Sequence, residues 1–265
     1  MILKIINDTI NYCRKNKTQK KIKILQFILR VFIWPFSTNW FARRIMELLY
    51  ITLKLKTIRE WWLSPVPHFS DVSSSLFLSY KDQSSNWINR GFYNKEIIPK
   101  NGSILDIGCG DGFYDYYFFT EYASKIDAVD IEESAIKKAK KYHSDPKIKY
   151  TVLDIVKEKF SDKKYDVIIM DGSIGHFNEK DMDLVMNKIV DSMNEHSFFV
   201  GSEAMETLES MSDDHFQVFP TKDHMKKFLS KWFQVKEIWE KDEKIYKVVY
   251  FRCTKYNKLE KSIKQ

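Results

Sequence analysis

A chain of 265 residues with 44% hydrophobic and 15% aromatic content, 8 glycines and 6 prolines is long enough for one sizeable α/β domain and an appendage. That composition excludes disordered, collagen-like and linker character. The formal charge of +7 is lopsided, because residues 1–63 carry 13 Lys/Arg against 3 Asp/Glu, a balance of +10 that leaves −3 for the remainder. A basic appendage beside a mildly acidic core points to an anionic surface or a docking partner and argues against DNA. Cys13, Cys109 and Cys253 are too few and too widely spaced for a disulfide framework or a Cys-rich zinc site. No metal is expected, and a reducing, cytoplasmic setting fits.

From Met1 to Leu63 apolar residues recur at helical spacing, first Ile24, Phe27, Ile28, Val31 and Phe32, then Ile45, Leu48, Leu49 and Leu53. Two amphipathic helices are predicted. The apolar run Ile24–Phe36 is broken by Arg30 and Pro35 and falls short of the roughly 20 residues a spanning helix needs. No small-residue cleavage site follows Phe36, so a signal peptide is not expected either. Two prolines and a serine run over 64–75 read as a connector, and this is the predicted boundary after residues 1–63. Residues 64–100 hold that connector and a leading helix near 84–98, stopped by Pro99.

Beyond Asn101 short β-rich runs alternate with helical stretches. Strands are predicted at 103–107, 126–130, 148–153, 166–171, 197–201, 233–240 and 245–253. Helices are expected near 112–124, 132–143, 178–193 and 221–231, with Asn178 and Thr221 as N-caps. Only Lys241–Lys244 separates the last two strands, too short for a parallel crossover. The predicted fold is thus α/β, a seven-stranded, mostly parallel, doubly wound sheet over 101–254 with an antiparallel C-terminal hairpin strand. The N-terminal helical appendage precedes it, and a basic tail, 255–265, follows.

The most specific local signal is Ile104-Leu105-Asp106-Ile107-Gly108-Cys109-Gly110-Asp111-Gly112, a strand running into alternate glycines and then a helix. Glycine lets backbone approach a ligand where a Cβ would collide. A dinucleotide fingerprint would need its third glycine at position 113, which is Phe113, so NAD is disfavoured. Asp130 ends the next strand about 20 residues on, where a carboxylate can accept from ribose hydroxyls.

The pattern Asp106-x-Gly108-x-Gly110-x-Gly112 resembles motif I of class I methyltransferases, over a resemblance spanning about residues 80–254. It implies S-adenosylmethionine as cofactor, its methionine and ribose parts held by Asp106, Gly108, Cys109, Gly110 and Gly112. Asp130 would hold the ribose hydroxyls and Ile131 would flank the adenine. Asp154 and Ile155 would sit at the adenine edge, Asp154 accepting from the exocyclic amine. The resemblance also implies that the last strand inserts antiparallel between the fifth and sixth.

In an open α/β sheet the carboxyl ends of the strands face the ligand crevice, so acceptor chemistry is sought in Met170-Asp171-Gly172-Ser173-Ile174-Gly175-His176-Phe177. His176 is the first candidate base, since an imidazole takes protons near neutral pH; lining the loop is the alternative. His215 is the second, and Asp171 is either a ligand-orienting carboxylate on the cofactor or acceptor side or a turn residue. Glu203 could face the crevice, and Tyr80, Trp87 and Arg90 could close over the cofactor or pack the leading helix. The Asn/Asp-Pro-Pro-aromatic sequence of exocyclic-amine methylation is absent, and so is a Pro-Cys nucleophile. The expected reaction is therefore O-methylation of a small molecule or a sugar or lipid-linked glycan. Two alternatives stand beside it: RNA or protein amine methylation, and a non-catalytic cofactor-binding scaffold. The basic appendage suggests peripheral contact with the inner face of a membrane, or a lid or dimer contact.

Overall fold

The structure is a computed structural model and describes residues 38–62, 86–158, 163–209, 215–242 and 247–256. The chain divides into two compact units, Met1–Leu63 and Ser64–Gln265. In the first, helix α1 spans Asn39–Trp62 and takes in the expected helical repeat at 45–53. Thr38 caps it by accepting from the Phe41 amide through its hydroxyl. Its side chains Trp40, Ile45, Leu48, Ile51 and Leu55 are exposed. The helix predicted around 24–36 lies outside the described residues, as do Tyr80 and the connector.

The second unit is a seven-stranded sheet in the order β3-β2-β1-β4-β5-β7-β6. Its strands are β1 Gly102–Ile107, β2 Ala123–Asp130, β3 Ile148–Val152, β4 Tyr165–Asp171, β5 Met193–Ala204, β6 Phe233–Asp242 and β7 Lys247–Lys255. β7 lies antiparallel between β5 and β6, and the pairs among β1 to β5 are parallel. Both the antiparallel hairpin and its inserted position are as expected. The order runs outward from β1 in one direction and from β4 in the other, so the crevice between their carboxyl ends is the topological switch point.

Strand alternation explains why the sheet is covered on both faces. Leu105, Ile107, Ile168, Met170 and Phe199 enter one core with Met182, Val185, Met186 and Ile189 of α4 (Glu179–Asp191) and Met225 and Leu229 of α5 (Lys222–Leu229). Ile104, Val167, Ile169 and Val200 enter the other, with Phe119 and with Ile136 and Ala139 of α3 (Glu133–Tyr142). Asn178 and Thr221 cap α4 and α5 through their side chains, as expected. The leading helix α2 is Asn86–Lys95.

One element departs from expectation. In place of a helix over 112–124 there is a π-helical turn, Asp115–Phe119, closed by the Thr120 amide donating to Asp115 O. Six aromatic residues flank Asp115 in the stretch Phe113–Phe119, with Phe113 and Tyr117 centroids 4.8 Å apart and Tyr116 and Tyr117 4.9 Å apart. Bulky rings lose rotamer freedom in a regular helix, and one extra residue in the turn relieves that crowding.

Candidate cofactor and acceptor site

The glycine loop is set by β2 before any ligand arrives. The Gly108 and Cys109 amides both donate to Val129 O, at 2.8 and 3.1 Å, and the Gly110 amide donates to Asp130 Oδ2 at 2.9 Å. Gly108 and Gly112 have φ of 76° and 72°, the left-handed region that side chains avoid. A Cβ on Gly112 would also stand 2.2 Å from the Tyr150 hydroxyl. Gly108 is exposed, whereas Gly110 and Cys109 are buried. Burial and surrounding carboxylates push the Cys109 thiol up, so it stays protonated and inert.

Asp130 stands at the end of β2 with Oδ2 on Gly110 and Oδ1 accepting from the Glu132 amide at 2.8 Å. Burial raises its pKa and these amides oppose the rise. A carboxylate has about four acceptor positions, so capacity remains for a vicinal diol. Ile131 beside it is 63% exposed, placed to cover a flat ring. Asp154 is engaged locally: Oδ1 accepts from the Val156 and Lys157 amides and Oδ2 pairs with Lys157 Nζ at 2.7 Å. Ile155 is buried in the first core.

The residues fit S-adenosylmethionine better than a phosphate-bearing cofactor. Asp106, Asp111 and Asp130 surround the loop, Asp111 Oδ1 accepting from the Phe113 amide, and Asp106 and Asp111 are buried. A pyrophosphate would meet three carboxylates there, whereas a sulfonium and an ammonium are attracted by them.

The acceptor edge is built by β4, β5 and α2 together. After β4, Gly172 turns with φ 60° and a 3-10 turn, Ile174–His176, follows. Asp171 is held on both oxygens, Oδ1 by the Ser202 hydroxyl at 2.7 Å and Oδ2 by Asn94 of α2. Burial raises its pKa, opposed first by the charge of Arg90. Glu203 is 2% exposed and accepts from the Ile174 amide at 2.8 Å; burial raises its pKa too, against Arg90 and that amide. Arg90 lies beside Gly172, so α2 brings a guanidinium to the ends of both strands. The side chain of Trp87 lies outside the described ones.

His176 and His215 meet edge to face, ring centroids 4.6 Å apart. The Phe216 and Gln217 amides donate to Gly175 O and dock that segment on the 3-10 turn. His176 is exposed, and His215 is partly buried with Nδ1 2.6 Å from Glu206 Oε2. Glu206, Ser202 and Asn94 were not picked out from sequence. None carries a motif, and Glu206, two residues past the end of β5, acquires meaning only through its contact with His215.

Residues 104–196 match the family model described as a methyltransferase domain. Those residues are similar to a methyltransferase domain, and the sheet that holds them has the class I order. A protein named as a methyltransferase, 235L of Invertebrate iridescent virus 6, is 31% identical over 121 residues, 45% of this chain and 40% of that protein. The malonyl-acyl-carrier-protein O-methyltransferase of Acetivibrio thermocellus is 31% identical over 91 residues, 34% of this chain and 31% of that enzyme. The chain therefore aligns with less than half the length of these relatives. In fold it is similar to the N-methyltransferase NodS of Bradyrhizobium japonicum WM9 bound to S-adenosyl-L-homocysteine, with TM-score 0.58 and 14% identity over 79% of this chain and 99% of that one. The methyltransferase domain matches the cofactor expected from the glycine loop.

Proposed function

We propose that the protein is an S-adenosylmethionine-dependent methyltransferase whose acceptor is a hydroxyl of a small molecule, a sugar or a lipid-linked glycan. The contact between His215 Nδ1 and Glu206 Oε2 carries this reading. With the ring proton donated to the carboxylate, Nε2 is left as an acceptor, and Glu206 stabilises the imidazolium that forms when Nε2 takes a hydroxyl proton. An amine acceptor has less need of such a base. When bound, the cofactor supplies a methyl group already activated by its sulfonium. What the chain adds is alignment of acceptor and methyl at about 3–3.5 Å, removal of the proton and exclusion of water. His176 packs on His215 and steers its ring, while Asp171, Asn94, Ser202 and Arg90 hold the crevice floor.

Names of similar proteins include both O- and N-methyltransferases, so likeness does not choose the acceptor atom. The N-terminal unit, with its +10 charge and exposed apolar side chains on α1, supports peripheral contact with an anionic membrane, where a lipid-linked acceptor would be found.

The test begins with calorimetric titration of S-adenosylmethionine. Wild type should bind one equivalent, and Asp130→Ala should bind at least about tenfold more weakly, since hydrogen bonds to a charged acceptor are worth roughly 1.5–3 kcal/mol. Turnover on a hydroxylated acceptor should fall by about 10²–10⁴ in His215→Ala and substantially in Glu206→Gln, with cofactor affinity unchanged. Absence of binding by folded wild type would sink the enzyme reading. Full turnover in His215→Ala would remove the base, and with it the preference for oxygen.

A further inference from the structure

Beneath the glycine loop lies an acid pair that the proposed chemistry does not use. Alternation along β1 puts Asp106 on the face of Ile104, the face on which Phe119 of the π-helical turn packs. Asp115 opens that turn. It is fully buried, and among the described residues neither of its carboxyl oxygens has an N–H or hydroxyl donor. The Asp106 carboxyl lies within hydrogen-bonding range of it. Two ionised carboxylates only accept, so this contact becomes a hydrogen bond only when one of them keeps a proton.

The surroundings favour keeping it. Burial pushes Asp115 up to about 8, against the hydrogen bond to Asp106 and with a smaller push from Asp111, and burial with Asp115, Asp171 and Asp130 carries Asp106 well above the carboxylate range. The ionisable groups facing the pair are Cys109 and Asp111 of the loop, Asp130 at the end of β2, Tyr150 of β3 and Asp171 of β4. Any charge these groups carry is negative, and α2, the helix packed on the turn, brings the cation Arg90, whose charge acts on Asp171 and Glu203. Asp106 keeps 6% exposure and Asp115 none, so Asp106 is the outer member of the pair and Asp115 the inner.

We propose that Asp106 and Asp115 hold one proton between them in the free protein and release it to solvent when the cationic methionine end of S-adenosylmethionine binds against Asp106. The proposal rests on the cofactor reading above and adds a linkage to it: protonated pair plus cofactor gives complex plus one proton. Asp115 is then a positioning residue, fixing Asp106 through the shared proton before binding. A cation placed beside a protonated carboxyl pair stabilises its ionised form, so affinity must rise with pH over the window in which the free pair still holds its proton.

Calorimetric titration of the full chain with S-adenosylmethionine, in buffers of differing ionisation heat between about pH 6 and 7.5, reads this directly. Expected are a release approaching one proton per cofactor and an affinity that climbs by up to about tenfold per pH unit. The cofactor's own amino group titrates near 8 and would take up protons on binding, the opposite sign. In Asp115→Asn, whose amide still donates to Asp106 but has no proton to lose, the release should disappear and the affinity flatten. Binding by wild type without proton release overturns the proposal alone. Release undiminished in Asp115→Asn also overturns it, assigning the proton to another group. Absence of binding overturns the cofactor reading and this proposal together.

Discussion

Carboxyl groups near the crevice show how one residue type takes different roles according to its contacts. Asp130, with two amide donors, has acceptor capacity left for a ligand; Asp171, held on both oxygens by Ser202 and Asn94, is a strut; Asp115, among the described residues, faces only the Asp106 carboxyl. The Asp115 case has a consequence for stability. Its carboxyl is raised from 3.8 to about 8 by burial, so between those values the folded chain holds a proton that the unfolded chain has lost. Stability must therefore fall as pH rises through that window, the reverse of a salt-bridged carboxylate. Asp115→Asn should remove this loss. Thermal unfolding should show it more stable than wild type at about pH 9, by about 4 °C or more, with little difference near pH 4. Parallel melting curves for the two proteins across that range would mean that Asp115 does not titrate upward.

Among the elements, the loop from Gly108 to Gly112 carries the cofactor prediction most directly. Gly112 has φ 72° and sits under the Tyr150 hydroxyl, which donates to His143 O at 3.0 Å. A methyl there meets both backbone strain and a fixed ring, so Gly112→Ala should cost about 1–3 kcal/mol in denaturant unfolding and weaken the cofactor more than Asp154→Ala does. Unchanged stability would show that β3 can yield to the loop. The strands were legible because period-two patterning and β-branched runs mark them, as in Asp166–Asp171 and Lys247–Cys253. The helix after the loop was not, because apolar and aromatic residues crowd one stretch without a clear period. Whether they wind as α or π depends on which rings find room.

For the whole molecule the uneven charge is the main property, +10 in residues 1–63 against −3 in the rest. Among the described residues no helix is long and apolar enough to cross a membrane, yet Trp40, Leu48 and Leu55 of α1 are all more than 60% exposed. The full chain should sediment with anionic vesicles at low salt and be released as salt rises, since screening shortens the reach of surface charge to about 10 Å at 0.1 M. Equal sedimentation with neutral vesicles would point to the apolar side chains alone, and none with either kind would remove the membrane. The strand sequence, the antiparallel last hairpin, the glycine loop and Asp130 were determined by the sequence itself, because each is a local pattern or a fixed spacing along one strand-turn-helix unit. The pairing of Glu206 with His215, the anchoring of Asp171 by Asn94 and Ser202, and the placement of Asp115 behind Asp106 were decided only by the tertiary structure. Ser202 reaches Asp171 because the sheet order sets β5 beside β4, whereas Glu206 with His215 and Asp106 with Asp115 each lie nine residues apart, a spacing that neither helix nor strand periodicity brings together and that no local pattern records.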